Sequence, residues 1–71
     1  MERISVKIKG EYIKLSQLLK FAGVVYSGGE AGSLISDGQI SVNGQVCTQK
    51  GKKIHAGDII EVGKDVSIEV Q

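Results

Sequence analysis

The 71-residue sequence predicts one α+β domain, because helix-like and strand-like patterns occupy different parts of the chain. Apolar residues alternate with polar ones near both ends, which is typical of half-buried strands. Between them, two short segments repeat apolar residues at intervals of three and four, which is typical of helices. The pair Asn43-Gly44 then predicts a tight β-hairpin, since both turn positions favour positive φ.

The first elements are a strand and a helix. Alternation over residues 4–8 predicts a strand that ends at Gly10. A helix is predicted over residues 16–22, with Ser16 as its N-cap and Gly23 as its terminating glycine. The apolar face of this helix consists of Leu15, Leu18, Leu19 and Ala22.

A second helix is predicted over residues 28–37. Ser27 and Glu30 form a capping-box pattern, in which the Ser27 hydroxyl accepts from the Glu30 N–H and the Glu30 carboxylate accepts from the Ser27 N–H. Gly38 supplies the left-handed stop. Because such a short helix is marginal alone, we expect it to pack against the first one.

The rest of the chain is predicted to form short strands. Ile40 and Val42 lead into the Asn43-Gly44 turn, and Val46 and Thr48 continue on the return strand. Further strands are predicted at Ile54, over residues 59–62 and over residues 66–70, with glycine-containing turns between them.

Charge is distributed unevenly, although the net charge is only +1. Residues 1–20 contain five basic and two acidic groups, and residues 50–53 contain three lysines. Acidic groups outnumber basic ones in residues 21–49 and 54–71. The two basic segments form a patch if the fold brings them together; otherwise they are ordinary solvated lysines.

Glycines at the start of the second helix allow two interpretations. Gly28 and Gly29 occupy its first two positions, where bare amide groups and the helix dipole favour a phosphate. Alternatively, they only permit close packing between the helices. Gly32 lies in the middle of the helix, where glycine is unfavourable, and the local pattern gives no reason for it.

Other chemistry is not supported by the sequence. No GxxxxGK[ST] loop is present, and one histidine and one cysteine are too few for a metal site. A Cys47–His55 nucleophile pair is conceivable, but we expect Cys47 to be a core residue and His55 to be exposed. Tyr12, Phe21 and Tyr26 are too scattered for base stacking, and we expect Phe21 and Tyr26 to pack at the core edge or between the helices. The sequence predicts no catalytic residues, metal or cofactor.

Nothing in the sequence predicts a membrane location. No apolar run approaches the length of a membrane span, and the N-terminal segment lacks the apolar core of a signal peptide. A single cysteine cannot form an internal disulfide. These observations favour the cytoplasm, with no membrane partner.

Several motifs together resemble the S-four RNA-binding domain family, which carries the alpha-L motif. They read, in order, KLSQLLKFAG from Lys14, SGGEA from Ser27, ISVNG from Ile40, KGKK from Lys50 and GD at Gly57. The similarity covers residues 14–62 and is greatest to the small stand-alone bacterial, ribosome-associated subgroup. That subgroup often has lysine where Gly32 stands and paired arginines where Thr48 and Gln49 stand.

The resemblance implies two short helices packed on a small, mainly antiparallel sheet, with residues 1–71 forming a single alpha-L domain. It also implies a non-enzymatic protein that binds structured RNA, such as ribosomal RNA, and takes no small-molecule substrate. Its RNA surface lies along the helices and the adjacent hairpin. The implied RNA-binding residues are Lys14, Lys20, Ser27, Gly28, Gly29, Asn43, Lys50, Lys52 and Lys53.

Two other function classes agree with part of the sequence. A ubiquitin-like sulfur carrier would suit the chain's size and its strand–helix–strand order, but such carriers end in Gly-Gly, whereas this sequence ends Ile-Glu-Val-Gln. A protein-interaction module could dock through the acidic C-terminal third. Nuclease sensitivity of co-purifying material would separate this module from an RNA binder.

Overall fold

The computed structural model describes residues 2–71 and shows two helices packed against β structure, as predicted. The elements in chain order are β1 (Glu2–Val6), β2 (Ile13–Lys14), α1 (Leu15–Phe21), α2 (Gly28–Ser36), β3 (Ile40–Val42), β4 (Gln45–Val46), β5 (Lys53–Ile54), β6 (Ile59–Val62) and β7 (Val66–Val70).

Five strands form the main sheet in the order β1-β7-β6-β3-β4, and β2 pairs with β5 in a separate ribbon. All pairs are antiparallel except β1 with β7, which is parallel. The sheet is therefore mainly antiparallel, and the predicted fold class is confirmed. β4 is shorter than the predicted return strand, because it ends at Val46 and Thr48 lies beyond it.

The core lies between the helices and the sheets. α1 contributes Leu15, Leu18 and Leu19, all fully buried, which confirms the predicted apolar face. The other buried apolar residues are Val6, Val25, Ala31, Ile35, Ile40, Ile54, Ile60, Ile68 and Val70. Among the described residues no polar side chain is buried, so the groups available for chemistry lie at the surface.

The tight turns follow the predicted chemistry. Asn43 and Gly44 have φ of 51° and 87°, as the hairpin between β3 and β4 requires. The α2 helix begins at Gly28 after the Ser27 N-cap, and the chain leaves it through Gly38 at φ 76°. The predicted positions of the hairpin turn and of the start of α2 are thus confirmed.

Candidate functional site

The N-terminus of α1 is capped by a distant segment of the chain. The Leu15 N–H donates to the Lys52 carbonyl at 2.9 Å, and the Ser16 N–H donates to the Lys50 carbonyl at 3.2 Å. The N-cap residue is Lys14, whose side chain makes no capping bond. The prediction of Ser16 as N-cap is therefore wrong, because main-chain carbonyls from residues 50–52 satisfy the donors that a local cap would serve.

This tertiary cap gathers four lysines, Lys14, Lys50, Lys52 and Lys53, which we call the lysine cluster. The backbones of Lys50 and Lys52 touch the first turn of α1, and Lys14 lies opposite Lys53 in the β2–β5 ribbon. All four side chains are exposed, and none forms an ion pair with another described residue. The fold therefore brings the basic segment 50–53 next to Lys14. The sequence alone did not decide whether these two basic segments would meet.

Lys20 lies apart from the lysine cluster. It is in the last turn of α1, at the opposite end of the helix from Lys14. It borders a shallow depression together with Ile13, Gln17 and Phe21. Of the lysines predicted to bind RNA, Lys20 is the one that the structure does not bring to the others.

The N-terminus of α2 presents open backbone. The Glu30 N–H donates to the Ser27 hydroxyl at 3.2 Å, which confirms the Ser27 cap. The Glu30 carboxylate accepts from the Tyr26 N–H at 3.1 Å, so its predicted bond with the Ser27 N–H is wrong. Within residues 2–71 the amides of Gly28 and Gly29 donate no hydrogen bond, and a Cβ at Gly28 would meet nothing within 4 Å.

Because Ser27 caps α2, Ser27→Ala is expected to lower the free energy of unfolding by about 0.5–2 kcal/mol. Ser27→Thr retains the hydroxyl and is the matched control, with a much smaller loss expected. Chemical denaturation of the three proteins measures the effect. Equal stability of the alanine variant and the parent would show that the cap contributes nothing.

Asn43 joins the β3–β4 hairpin to the turn before β6. Its Oδ1 accepts from the Ile59 N–H at 2.9 Å, and its Nδ2 donates to Asp58 Oδ1 at 3.1 Å. The other Asp58 oxygen accepts from the His55 N–H at 2.7 Å. Both ends of the Asn43 amide are thus engaged within the protein, which gives it a structural role that its place in a turn motif did not reveal.

The pKa of the Asp58 carboxyl is lowered from its usual value of 3.8. The hydrogen bond from the His55 backbone is the main cause and outweighs the opposing effect of burial. The Asn43 amide and the charges of His55 and Lys52 lower it further. The ionised form of Asp58 is therefore the one that stabilises this turn.

A lowered folded-state pKa means that Asp58 stabilises the protein above its unfolded pKa and loses this effect as the pH falls through the folded value. The difference in unfolding free energy between the parent and Asp58→Asn should therefore be larger at about pH 5 than at about pH 2. Denaturation at several pH values tests this expectation. A difference that stays constant or grows on acidification would contradict it.

Two aromatic predictions are wrong. Phe21 is 65% exposed and Tyr26 is 92% exposed, so neither packs at the core edge or between the helices. Phe21 is the last residue of α1, and the buried residues of that helix are Leu15, Leu18 and Leu19. Tyr26 lies in the connection before α2, where Val25 takes the buried position instead.

Residues near Tyr12 form a group that the sequence did not reveal. The Lys53 ammonium lies 5.0 Å from the centre of the Tyr12 ring, and the ring centres of Tyr12 and His55 are 6.3 Å apart. The β2–β5 pairing brings these residues together, and no local signal predicts which strand β2 will pair with. His55 is exposed as expected, whereas Cys47 is only half-buried against the core.

An open groove of about 510 Å³ separates the hairpin from residues 52–58. Asn43, Lys52 and Lys53 border it, together with Cys47 and His55. Within the described part of the chain, no three histidine, cysteine or acidic side chains are grouped to hold a metal ion. No helix in residues 2–71 has the length and apolarity needed to cross a bilayer.

Comparison with known proteins shows which family this chain belongs to. The family model described as S4 domain matches residues 6–71. The probable ribosome maturation protein RlbA of Bacillus subtilis is 37% identical over 57 residues, which cover 80% of each chain. The tyrosine–tRNA ligase of Burkholderia lata is 39% identical over 61 residues, which are 84% of this chain but only 15% of the ligase.

A solved structure has the same fold. The solution structure of YbcJ from E. coli, described as having an alpha-L motif involved in RNA binding, matches with a TM-score of 0.69 and 34% identity. The match covers 93% of this chain and 86% of YbcJ. The two helices and the mainly antiparallel sheet are therefore an alpha-L arrangement, and the chain belongs to the S4 domain family.

Proposed function

We propose that this chain is a non-catalytic RNA-binding protein that recognises structured RNA in the cytoplasm, with ribosomal RNA or a ribosome-associated RNA as its target. The observation that supports this function is the lysine cluster: backbone bonds and the β2–β5 pairing bring four exposed lysines together near the start of α1, and none has an ion-pair partner among the described residues. Phosphate neutralisation by basic side chains supplies a large share of the affinity in protein–nucleic acid interfaces.

The bound surface extends from the lysine cluster to the first turn of α2. Lys50 lies against α2 at Gly32, which is one helical turn, or about 6 Å, from Gly28. The open amides of Gly28 and Gly29 can donate to a phosphate, and the positive end of the helix dipole favours it. Ser27 holds this turn in place through its cap. Lysine and backbone contacts of this kind orient RNA and carry little sequence information.

Lys20 and Asn43 have more peripheral roles. Lys20 extends the surface along α1 only if the RNA reaches the far end of that helix. Asn43 shapes the hairpin through its bonds to Ile59 and Asp58, and contributes to RNA binding mainly by positioning this edge.

Ribosomal RNA is favoured as the target by the similarity to RlbA, a probable ribosome maturation protein, over 80% of both chains. Similarity to the tyrosine–tRNA ligase covers only a small part of that enzyme, so it supports a shared binding domain and no ligase activity. RNA binding without catalysis is consistent with the similarity to RlbA and with the similarity to a small part of the ligase.

Crosslinking in cells tests the proposed function. Ultraviolet crosslinking of tagged protein, followed by sequencing of the attached RNA, is expected to recover ribosomal RNA at a small number of structured positions. Recovery of partner proteins that persist after nuclease treatment, with no enriched RNA, would instead establish the protein-interaction module.

A further inference from the structure

Gly32 is out of place by helix propensity alone. It lies in the middle of α2 with ordinary helical backbone, where glycine costs about 1 kcal/mol relative to alanine. No positive φ requires it. Yet Gly32 is buried, although its neighbour Ser33 is exposed.

The side chain of Lys50 covers it. A Cβ on Gly32 would lie 3.3 Å from Lys50 Cδ, 3.4 Å from Nζ and 3.5 Å from Cε. The distance to Cδ is tighter than ordinary contact and the other two are ordinary, so the lysine side chain lies against the bare Gly32 backbone and would have to shift by a few tenths of an ångström to admit a methyl group. Gly32 and Lys50 are therefore in contact although they are 18 positions apart in sequence.

The backbone of Lys50 is fixed at the same time. Its carbonyl accepts the Ser16 N–H in the first turn of α1, so the residue is anchored to one helix while its side chain crosses the other. An anchored lysine with a restricted side chain loses less rotamer freedom on binding than a fully mobile one.

We propose that Gly32 is a positioning residue for RNA binding: its bare backbone seats the Lys50 side chain against α2 and holds the ammonium where it meets an RNA phosphate. The inference rests on the proposed function. It also explains why a helix-disfavouring residue stands in α2: a glycine at this position leaves room for the Lys50 side chain, which brings a positive charge to the α2 surface. Gly32 itself need not touch the RNA.

The test is Gly32→Ala, which should separate stability from binding. The added methyl favours the helix, and the displaced neighbour is a flexible side chain, so the unfolding free energy should be unchanged or increased. Affinity for a structured ribosomal RNA fragment should nevertheless fall roughly three- to tenfold, and the slope of log affinity against log salt should flatten by up to about 1.

Two further variants make the test specific. Ser33→Ala raises helix propensity at an exposed neighbouring position and should leave affinity unchanged. Gly32→Ala combined with Lys50→Gln should bind no more weakly than Lys50→Gln alone, because both changes remove the same contact. Parent-like affinity of Gly32→Ala, or additive losses in the double variant, would overturn the inference.

A measurement without RNA distinguishes the inference from the proposed function. An amine-reactive reagent should label Lys50 faster, relative to exposed Lys64, in Gly32→Ala than in the parent, because the contact between the Lys50 side chain and α2 is lost. An unchanged relative labelling rate would overturn the inferred contact, whatever the result of the RNA-binding measurements. Faster labelling of Lys50 in Gly32→Ala, together with no binding of structured RNA by the parent, would confirm the contact between Lys50 and Gly32. It would also refute the proposed function and the proposed phosphate contact.

Discussion

Replacing Lys50, Lys52 and Lys53 together with glutamine is expected to weaken binding to structured RNA and to flatten the slope of log affinity against log salt by roughly 2–3 units. Each neutralised phosphate contributes about 0.7–0.9 to that slope, because the RNA releases its bound counterions. Stability should change little, since exposed lysines contribute little to folding. A salt titration of the parent and the variant against a ribosomal RNA fragment measures the effect.

The matched control is a second triple variant in which Lys7, Lys9 and Lys64 become glutamine. These lysines are exposed and lie outside the lysine cluster, so the control changes net charge by the same amount. It should retain most of the affinity and nearly the full slope. Equal losses in the two triple variants would mean that only overall charge matters, and that the lysine cluster is not a binding site.

Asn43→Ala is expected to lower the free energy of unfolding by about 1–3 kcal/mol. The change removes the bonds to the Ile59 N–H and to Asp58, and places alanine at a φ of 51°. Asn43→Gly removes the same bonds but tolerates the turn, so it should be less destabilising. Urea denaturation of the three proteins gives both differences.

Asn43→Gly also separates structure from binding. Measured at a temperature where the variant is fully folded, its RNA affinity should fall by much less than that of the lysine triple variant. A comparable fall would assign Asn43 a direct contact with RNA. Stability equal to that of the parent would contradict the bonds that join the hairpin to Asp58.

Much of the fold could be predicted because its signals are local. Apolar spacing places both helices within one residue of their observed bounds, and the Asn43-Gly44 turn follows from backbone preference. Two features could not be predicted because a distant segment supplies the partner. Ser16 is not a cap because residues 50–52 supply the acceptors. The parallel pairing of β1 with β7 joins opposite ends of the chain and has no local signature.

The candidate site was predictable in its parts but not in its assembly. The Ser27 cap and the open glycines follow from a short motif, and the lysines of segment 50–53 are evident from composition. These lysines lie close to Lys14 because β2 pairs with β5. Each of these strands has only two residues, and no sequence pattern in one predicts that it pairs with the other. Gly32 had no explanation until the fold placed Lys50 upon it.

The proposed function requires RNA to bind the face formed by the start of α1, residues 50–53 and the start of α2. Titration of a structured ribosomal RNA fragment into ¹⁵N-labelled protein, with amide shifts followed by NMR, shows which residues RNA contacts. We expect saturable shifts at Lys14, Gly28, Gly29 and residues 50–53, with the β1–β7 edge unaffected. Shifts confined to β1 and β7, or no saturable shift at moderate salt, would contradict it.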